Sequence, residues 1–60
     1  MSDKELIKAS VEEFSRLQSY MLLCDENSDV YKMMKTRYIE LKVILTSLSV
    51  NLAELDIISK

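Results

Sequence analysis

The chain contains no glycine, no proline, no histidine and no tryptophan, and it has a single cysteine, Cys24. Average usage would place about four glycines and three prolines in sixty residues. Those residues punctuate β-hairpins and build the phosphate-cradling loops of nucleotide enzymes, so neither structure is expected. Without histidine, the commonest acid–base group and the commonest partner of cysteine at zinc are both missing. One cysteine cannot close an intramolecular disulfide. Long apolar runs are also lacking: the longest uncharged stretch, Val43 to Ala53, has 11 residues, too few to span a bilayer. The Met1–Glu5 segment carries Asp3 and Glu5 and no apolar core of signal-peptide length, which, with the lone thiol, leads us to expect a cytoplasmic protein without membrane contact.

What is present favours helices. Leu, Ile, Met, Glu and Lys are abundant, and hydrophobic residues make up 48% of the chain, too many for a disordered one. At 60 residues there is one domain at most, and its core is small enough that self-association would help it.

Ser2-Asp3-Lys4-Glu5 has the form of a capping box, with Met1 and Leu6 at the positions of a hydrophobic staple. Ile7, Ser10, Phe14, Leu17, Met21 and Cys24 then recur at steps of three and four, widened by Leu6, Val11 and Tyr20. This predicts a first helix over about 3–24. Asp25-Glu26-Asn27-Ser28-Asp29 is a short polar loop rich in N-cap residues, so the next helix should return antiparallel. In that helix Tyr31, Met34, Tyr38, Leu41, Leu45, Leu48, Leu52 and Leu55 keep the same alternation without a miss. Thr46-Ser47-Leu48-Ser49-Val50-Asn51 is weak in helix propensity, and Asn51-Leu52-Ala53-Glu54 reads as a second capping box, with Val50 and Leu55 at its staple positions. The expectation is therefore an all-α antiparallel hairpin, helices at about 3–24 and 29–47, then a kink and a short C-terminal helix over about 52–59. One unbroken second helix is the alternative.

More apolar residues are present than two helix stripes can bury. Val43, Val50 and Ile57 are seven apart and lie opposite the leucine seam of a straight helix; Ile39, Ile44 and Ile58 add to them, as do Leu22 and Leu23 near the loop. Burying such a side chain stabilises by about 1.5–3 kcal/mol. Either the C-terminal segment folds back over this surface, or two hairpins pair as a homodimeric helical bundle; the dimer is favoured because a lone core of this size is so limited. Ile39, Val43, Ile44, Val50, Ile57 and Ile58 are the candidate self-association or partner face.

A second candidate surface is electrostatic. Net charge is −2, but residues 25–29 carry −3, while residues 30–46 carry +3 from Lys32, Lys35, Arg37 and Lys42 against Glu40. On a helix Lys32, Lys35 and Lys42 fall within about 80° of one another, beside Tyr31 and Tyr38, and Arg37 points elsewhere. Positive charge next to aromatic rings suits a phosphate-rich ligand whose bases can stack, RNA above all. The plainer reading makes these lysines flank the seam and balance Glu12, Glu13 and the acidic loop. Glu13 is expected level with Leu41 and Lys42, as an ion pair with the latter.

Other constellations lead nowhere. Asp25-x-Asn27-x-Asp29 matches the first three ligand positions of a calcium loop, but Val30 stands where glycine is needed and Thr36 where a bidentate glutamate is needed. Cys24, on the apolar seam, reads as a buried, inert thiol. The carboxylate pairs Glu12/Glu13 and Glu54/Asp56 have no pocket to serve. No catalytic residue, cofactor or metal is expected.

Residues 38–56, Tyr38-Ile39-Glu40-Leu41-Lys42-Val43 through Val50-Asn51-Leu52-Ala53-Glu54-Leu55-Asp56, resemble the C-terminal part of small helical proteins of phages and mobile elements of Gram-positive bacteria. That resemblance implies a regulator or inhibitor that docks on a host macromolecule. Glu54-Leu55-Asp56 is also similar to the end of the S-Q-E-L-D motif of small sporulation phosphatases, but Leu52 and Ala53 replace its Ser and Gln, and the activity is not carried over. In architecture alone a dimer of the hairpin would be similar to the RNA-binding protein Rop. The reading that follows is a helical protein–protein interaction module. Its alternative is a Rop-like RNA- or DNA-binding homodimer using Tyr31, Lys35, Tyr38 and Lys42.

Overall fold

The computed structural model describes residues 3–59, so Met1 and Ser2, and with them the first capping box and staple, lie outside the described residues. Two helices and no strand are found among the described residues: α1, Asp3–Met21, and α2, Asp29–Ser47. The connection 22–28 is too short to run back along a 19-residue helix, whose length is about 28 Å, so the two helices pack antiparallel.

The first helix ends at Met21, three residues short of the expected boundary. The amide of Leu22 still donates to the Gln18 carbonyl at 3.0 Å, but Leu23 reaches Tyr20 (3.0 Å) and Cys24 reaches Met21 (3.1 Å). The last turn thus tightens to i→i−3 bonding and stops, with neither a glycine nor a basic residue there to complete a regular C-cap. The loop after it is held by capping bonds. Asp25 Oδ1 accepts from the Asn27 amide (2.9 Å), Ser28 Oγ donates to the Asp25 carbonyl (2.7 Å), and the same hydroxyl oxygen accepts from the Tyr31 amide (3.1 Å) as the N-cap of α2. Of the three residues that mimic a calcium site, Asp25 is therefore engaged in the turn through its carboxylate and its carbonyl.

The second helix breaks where the weak propensity predicts it, and the unbroken alternative is set aside. Ser49 adopts φ 64°, the Ser49 amide donates to the Thr46 carbonyl (3.0 Å) and the Val50 amide to the Leu45 carbonyl (2.9 Å). This double bond pattern with a left-handed residue is a Schellman cap, and Val50 packs back on the core at the position where that motif places its apolar contact. In a chain without glycine a serine must take the left-handed position, at a cost of about 1 kcal/mol. Ser49→Gly is expected to stabilise the fold by up to about 1 kcal/mol, and thermal denaturation would register this as a rise of several degrees.

Beyond the cap the expected third helix does not form. Asn51 Oδ1 accepts from the Ala53 amide (2.9 Å), and the Leu52 carbonyl accepts from Leu55 (3.1 Å) and Asp56 (2.9 Å), giving a single turn. Over residues 56–59 the chain is a non-helical strap lying against the hairpin. So short a segment is below the length at which helices hold themselves together, and its amides find better partners on the hairpin. Leu52, Leu55 and Ile58 pack against the central cluster, so of the surplus apolar residues the strap itself folds Ile58 back onto the core, while Leu22, Leu23, Ile39, Val43 and Ile57 stay exposed.

The core is Phe14, Met21, Tyr31, Tyr38, Leu41 and Leu45. Phe14 and Tyr38 stack with ring centroids 5.4 Å apart. Along α1 the buried positions are Ser10, Phe14, Gln18 and Met21, which places Gln18 in the centre and Leu17 at the margin.

Candidate functional site

Two features stand out: a polar clasp that holds the strap, and an open apolar flank on α2.

Gln18, 1% exposed, is the clasp's inner half. Its Nε2 donates to the Leu55 carbonyl (2.8 Å), and its Oε1 accepts from the amides of Ile57 (2.7 Å) and Ile58 (3.1 Å). One amide side chain thus satisfies three backbone groups of the strap. The outer half is Asp56 with Tyr38, Lys42 and Ser59. The Tyr38 hydroxyl donates to Asp56 Oδ1 at 2.5 Å, and Lys42 Nζ lies 2.9 Å from Oδ2. Ser59 contributes its amide to Oδ1 (3.1 Å). Tyr38 has one proton and gives it to the carboxylate, so the Ser59 hydroxyl, 2.6 Å away, must donate to the phenol oxygen. The Lys42 ammonium also lies over the Tyr38 ring, 5.2 Å from its centroid.

The charges inside the clasp reinforce one another. Burial pushes the Asp56 carboxyl up, but bonds from Tyr38, Lys42 and the Ser59 amide outweigh it and hold the pKa at about 2. Burial first, and then the neighbouring Asp56, raise the Tyr38 phenol, while the bond to Asp56 raises the Lys42 ammonium. Every shift moves its group farther from neutrality. A general acid or base works best with a pKa near the working pH, and none of these three is tuned that way. The geometry is that of a fastening.

The sequence-derived candidates are redistributed by the fold. Tyr31 and Tyr38 belong to the core, so their faces are covered by protein where base stacking would require them open. Lys42 is bound to Asp56, whereas Lys32 and Lys35 are exposed. Arg37, expected to point away, meets helix α1: its Nε and Nη2 donate to Glu13 at 2.7 and 3.0 Å, and Nη1 reaches Glu40 at 3.3 Å. Glu13 therefore pairs with Arg37, not with Lys42, because the hairpin register sits about a turn away from the expected one; the bond from Arg37 lowers the Glu13 pKa.

The apolar face also divides. Ile44, Val50 and Ile58 pack against the core, and Ile57 lies beside Met21, Leu22 and Tyr31 near the loop. Ile57 is still 46% exposed there, and Ile39 and Val43 on α2 remain exposed at 53% and 64%. With Lys42, Thr46 and Ser47 they line an open groove of about 500 Å³. At 100° per residue Ile39 falls inside the arc spanned by Lys32, Lys35 and Lys42, and Val43 adjoins it. The two candidate surfaces, one apolar and one basic, thus become a single flank of α2. The central role of Gln18 escaped the sequence reading, because an apolar periodicity search passes over a polar residue; the i, i+4 step from Phe14 was its one signal.

Among the described residues no group of three or more Cys, Asp or Glu side chains is placed to hold a metal ion, and no helix is long and apolar enough to cross a membrane. Comparisons with protein-family models, with curated proteins and with solved structures each give no match for this chain.

Proposed function

We propose that this chain is a helical protein–protein interaction module that binds through the outer flank of α2. The observation that carries the reading is the exposure of Ile39 within a lysine-bearing arc and of Val43 beside it, on a helix whose opposite side is anchored in the core. Isolated exposed apolar residues are ordinary, but two adjacent ones lining a groove are the anchor geometry of a recognition surface. Aromatic stacking, which the nucleic-acid reading needs, has no support from the buried Tyr31 and Tyr38. A role as a regulator or inhibitor encoded by a phage or mobile element, implied by the resemblance of residues 38–56, belongs to the same proposal. Pairing of two chains as a dimer is compatible with it, since the strap covers only part of the surplus apolar surface.

Val43→Lys is expected to change folding stability by no more than about 0.5 kcal/mol, because the side chain is largely in water. It should nevertheless abolish recovery of a partner from host lysate treated with nuclease. Arg16→Glu on the outer side of α1 serves as the control and should recover the partner normally. Equal recovery by wild type and the Val43 variant would remove the flank from the reading. Loss of all captured material on nuclease treatment, with salt-sensitive retention on heparin, would move the function to nucleic acid.

A further inference from the structure

The connection end of the hairpin carries a further uncovered apolar surface. Leu22, Leu23, Val30 and Met33 are 63%, 86%, 59% and 74% exposed, and all lie at or next to the connection between the helices. Around them stand Asp25, Glu26 and Asp29, the acidic run of the sequence. This tip is apolar with an acidic rim. The α2 flank is apolar with a basic rim.

The ion pairs of the fold decide which charges are left over. Arg37 is bound to Glu13 and Glu40, and Lys42 to Asp56. Among the described residues Lys32 and Lys35 make no ion pair, and neither do Glu26 and Asp29. Of the charges left over near the two patches, Lys35 lies one turn from Ile39 on the flank, Lys32 stands between flank and tip beside Met33, and Asp25, Glu26 and Asp29 stand on the tip; Arg16, Glu12 and Glu54 lie on neither patch.

We propose that the tip of one copy docks into the α2 flank of another, so that the chain self-associates head to flank. The inference rests on the reading of that flank as a contact surface and names a second copy as its occupant. Tip against tip would set three carboxylates against three. Flank against flank would cover Ile39 and Val43 but leave the four tip residues in water. Tip against flank covers both apolar surfaces and brings opposite charges together. The two patches differ, so the contact is heterologous. Each added copy keeps one free tip and one free flank, and growth is open unless the rotation closes a ring. A standard interface takes about 800 Å² from each partner, nearly a fifth of the 4437 Å² of this chain. Four exposed apolar side chains on the tip and two on the flank fall well short of the roughly 20–30 residues a side of a standard interface, so the association is of the weak, transient class.

Two double variants test it. Leu23→Lys with Met33→Lys blocks the tip; Lys35→Glu with Val43→Glu blocks the flank. All four side chains are exposed, so circular dichroism and melting should match wild type for both. In sedimentation velocity the wild-type average mass should rise continuously with concentration from 7.0 kDa, and less steeply in high salt. Each variant alone should stay at 7.0 kDa, with affinity reduced at least about tenfold. Mixed one to one, they should form a species of twice that mass and no larger, because one supplies the intact tip and the other the intact flank. Should either variant disturb folding, the single substitutions Leu23→Lys and Lys35→Glu carry the same mixing test. A mixture that stays monomeric overturns the proposal, as does a wild type fixed at 7.0 kDa into the millimolar range, or one that plateaus at a dimer untouched by the tip variant. None of these results bears on the lysate capture above, which reads an outside partner.

Discussion

Gln18→Met is expected to free the C-terminal strap and to lower folding stability by about 3 kcal/mol, as the volume of the buried side chain is kept while its hydrogen bonds are removed. The Leu55 carbonyl and the Ile57 and Ile58 amides would each lose their partner. Leaving a buried polar group unsatisfied costs about 1–3 kcal/mol. The strap lies at the surface, so water reaches these groups once it lifts, and the three losses will not add fully. A domain of this size is expected to have only about 3–9 kcal/mol in hand, which makes the substitution severe. Its signature should be local first. Amide exchange at Ile57 and Ile58 would accelerate to near the free-chain rate at temperatures where α1 and α2 remain protected, and the global melt would follow at lower temperature. Unchanged protection at those two amides, with a loss below about 1 kcal/mol, would mean the clasp is held by the Asp56 side alone.

The same residue marks the limit of what could be read from the chain. Helical class, antiparallel pairing and the bounds of α2 followed from periodicity and cap residues, because both are local properties of the sequence. The loop Asp25–Asp29 and the weak stretch before Asn51 announced themselves for the same reason. The C-terminal segment did not. Asn51 does turn the chain, by accepting from Ala53, but helix extension past Asp56 loses to bonds offered by Gln18, which is 37 to 40 residues away in sequence. Competition of that kind is tertiary, and no window of neighbouring residues contains it. The placing of Tyr31 and Tyr38 failed differently. They sit on the apolar seam and also adjoin the lysine stripe, although one ring cannot serve the core and an external base at once. The register of the hairpin was misplaced by about a turn, and with it the partners of Glu13, Arg37 and Lys42. Register depends on how α1 ends, and three residues of fraying at Leu22–Cys24 shift every pairing beyond them. The flank itself was legible in pieces, Ile39 and Val43 in one list and Lys32 and Lys35 in another. The fold joined them by fixing which side of α2 faces inward.

Stability is expected to decline as pH falls from about 4 toward 2, and Asp56→Asn should remove most of that decline. In the folded chain the Asp56 pKa is about 2, against 3.8 as the ordinary value. A carboxylate with a depressed folded pKa stabilises the fold fully above its unfolded value, and the contribution disappears as pH drops through the folded one. The displacement corresponds to about 2 kcal/mol. Asp56 is almost fully enclosed, at 8% exposure, so little of this should be lost to solvent screening. At pH 7 the asparagine variant keeps an acceptor for Tyr38 but loses the charge opposite Lys42, and it should be less stable than wild type by about 2 kcal/mol. Below pH 2 the wild-type carboxyl is protonated as well, and the two proteins should converge. Urea titrations of both across pH 2–7 measure the gap directly. Glu13, whose pKa Arg37 also depresses, is present in both proteins and cancels in the comparison. A gap that stays constant across the range would assign the loss to packing; no gap at pH 7 would mean that Gln18 holds the strap without help from the ion pair. Convergence at low pH, with strap amides losing protection together with the carboxylate, would identify Asp56–Lys42 as the electrostatic half of the clasp and Gln18 as the half that pH does not touch.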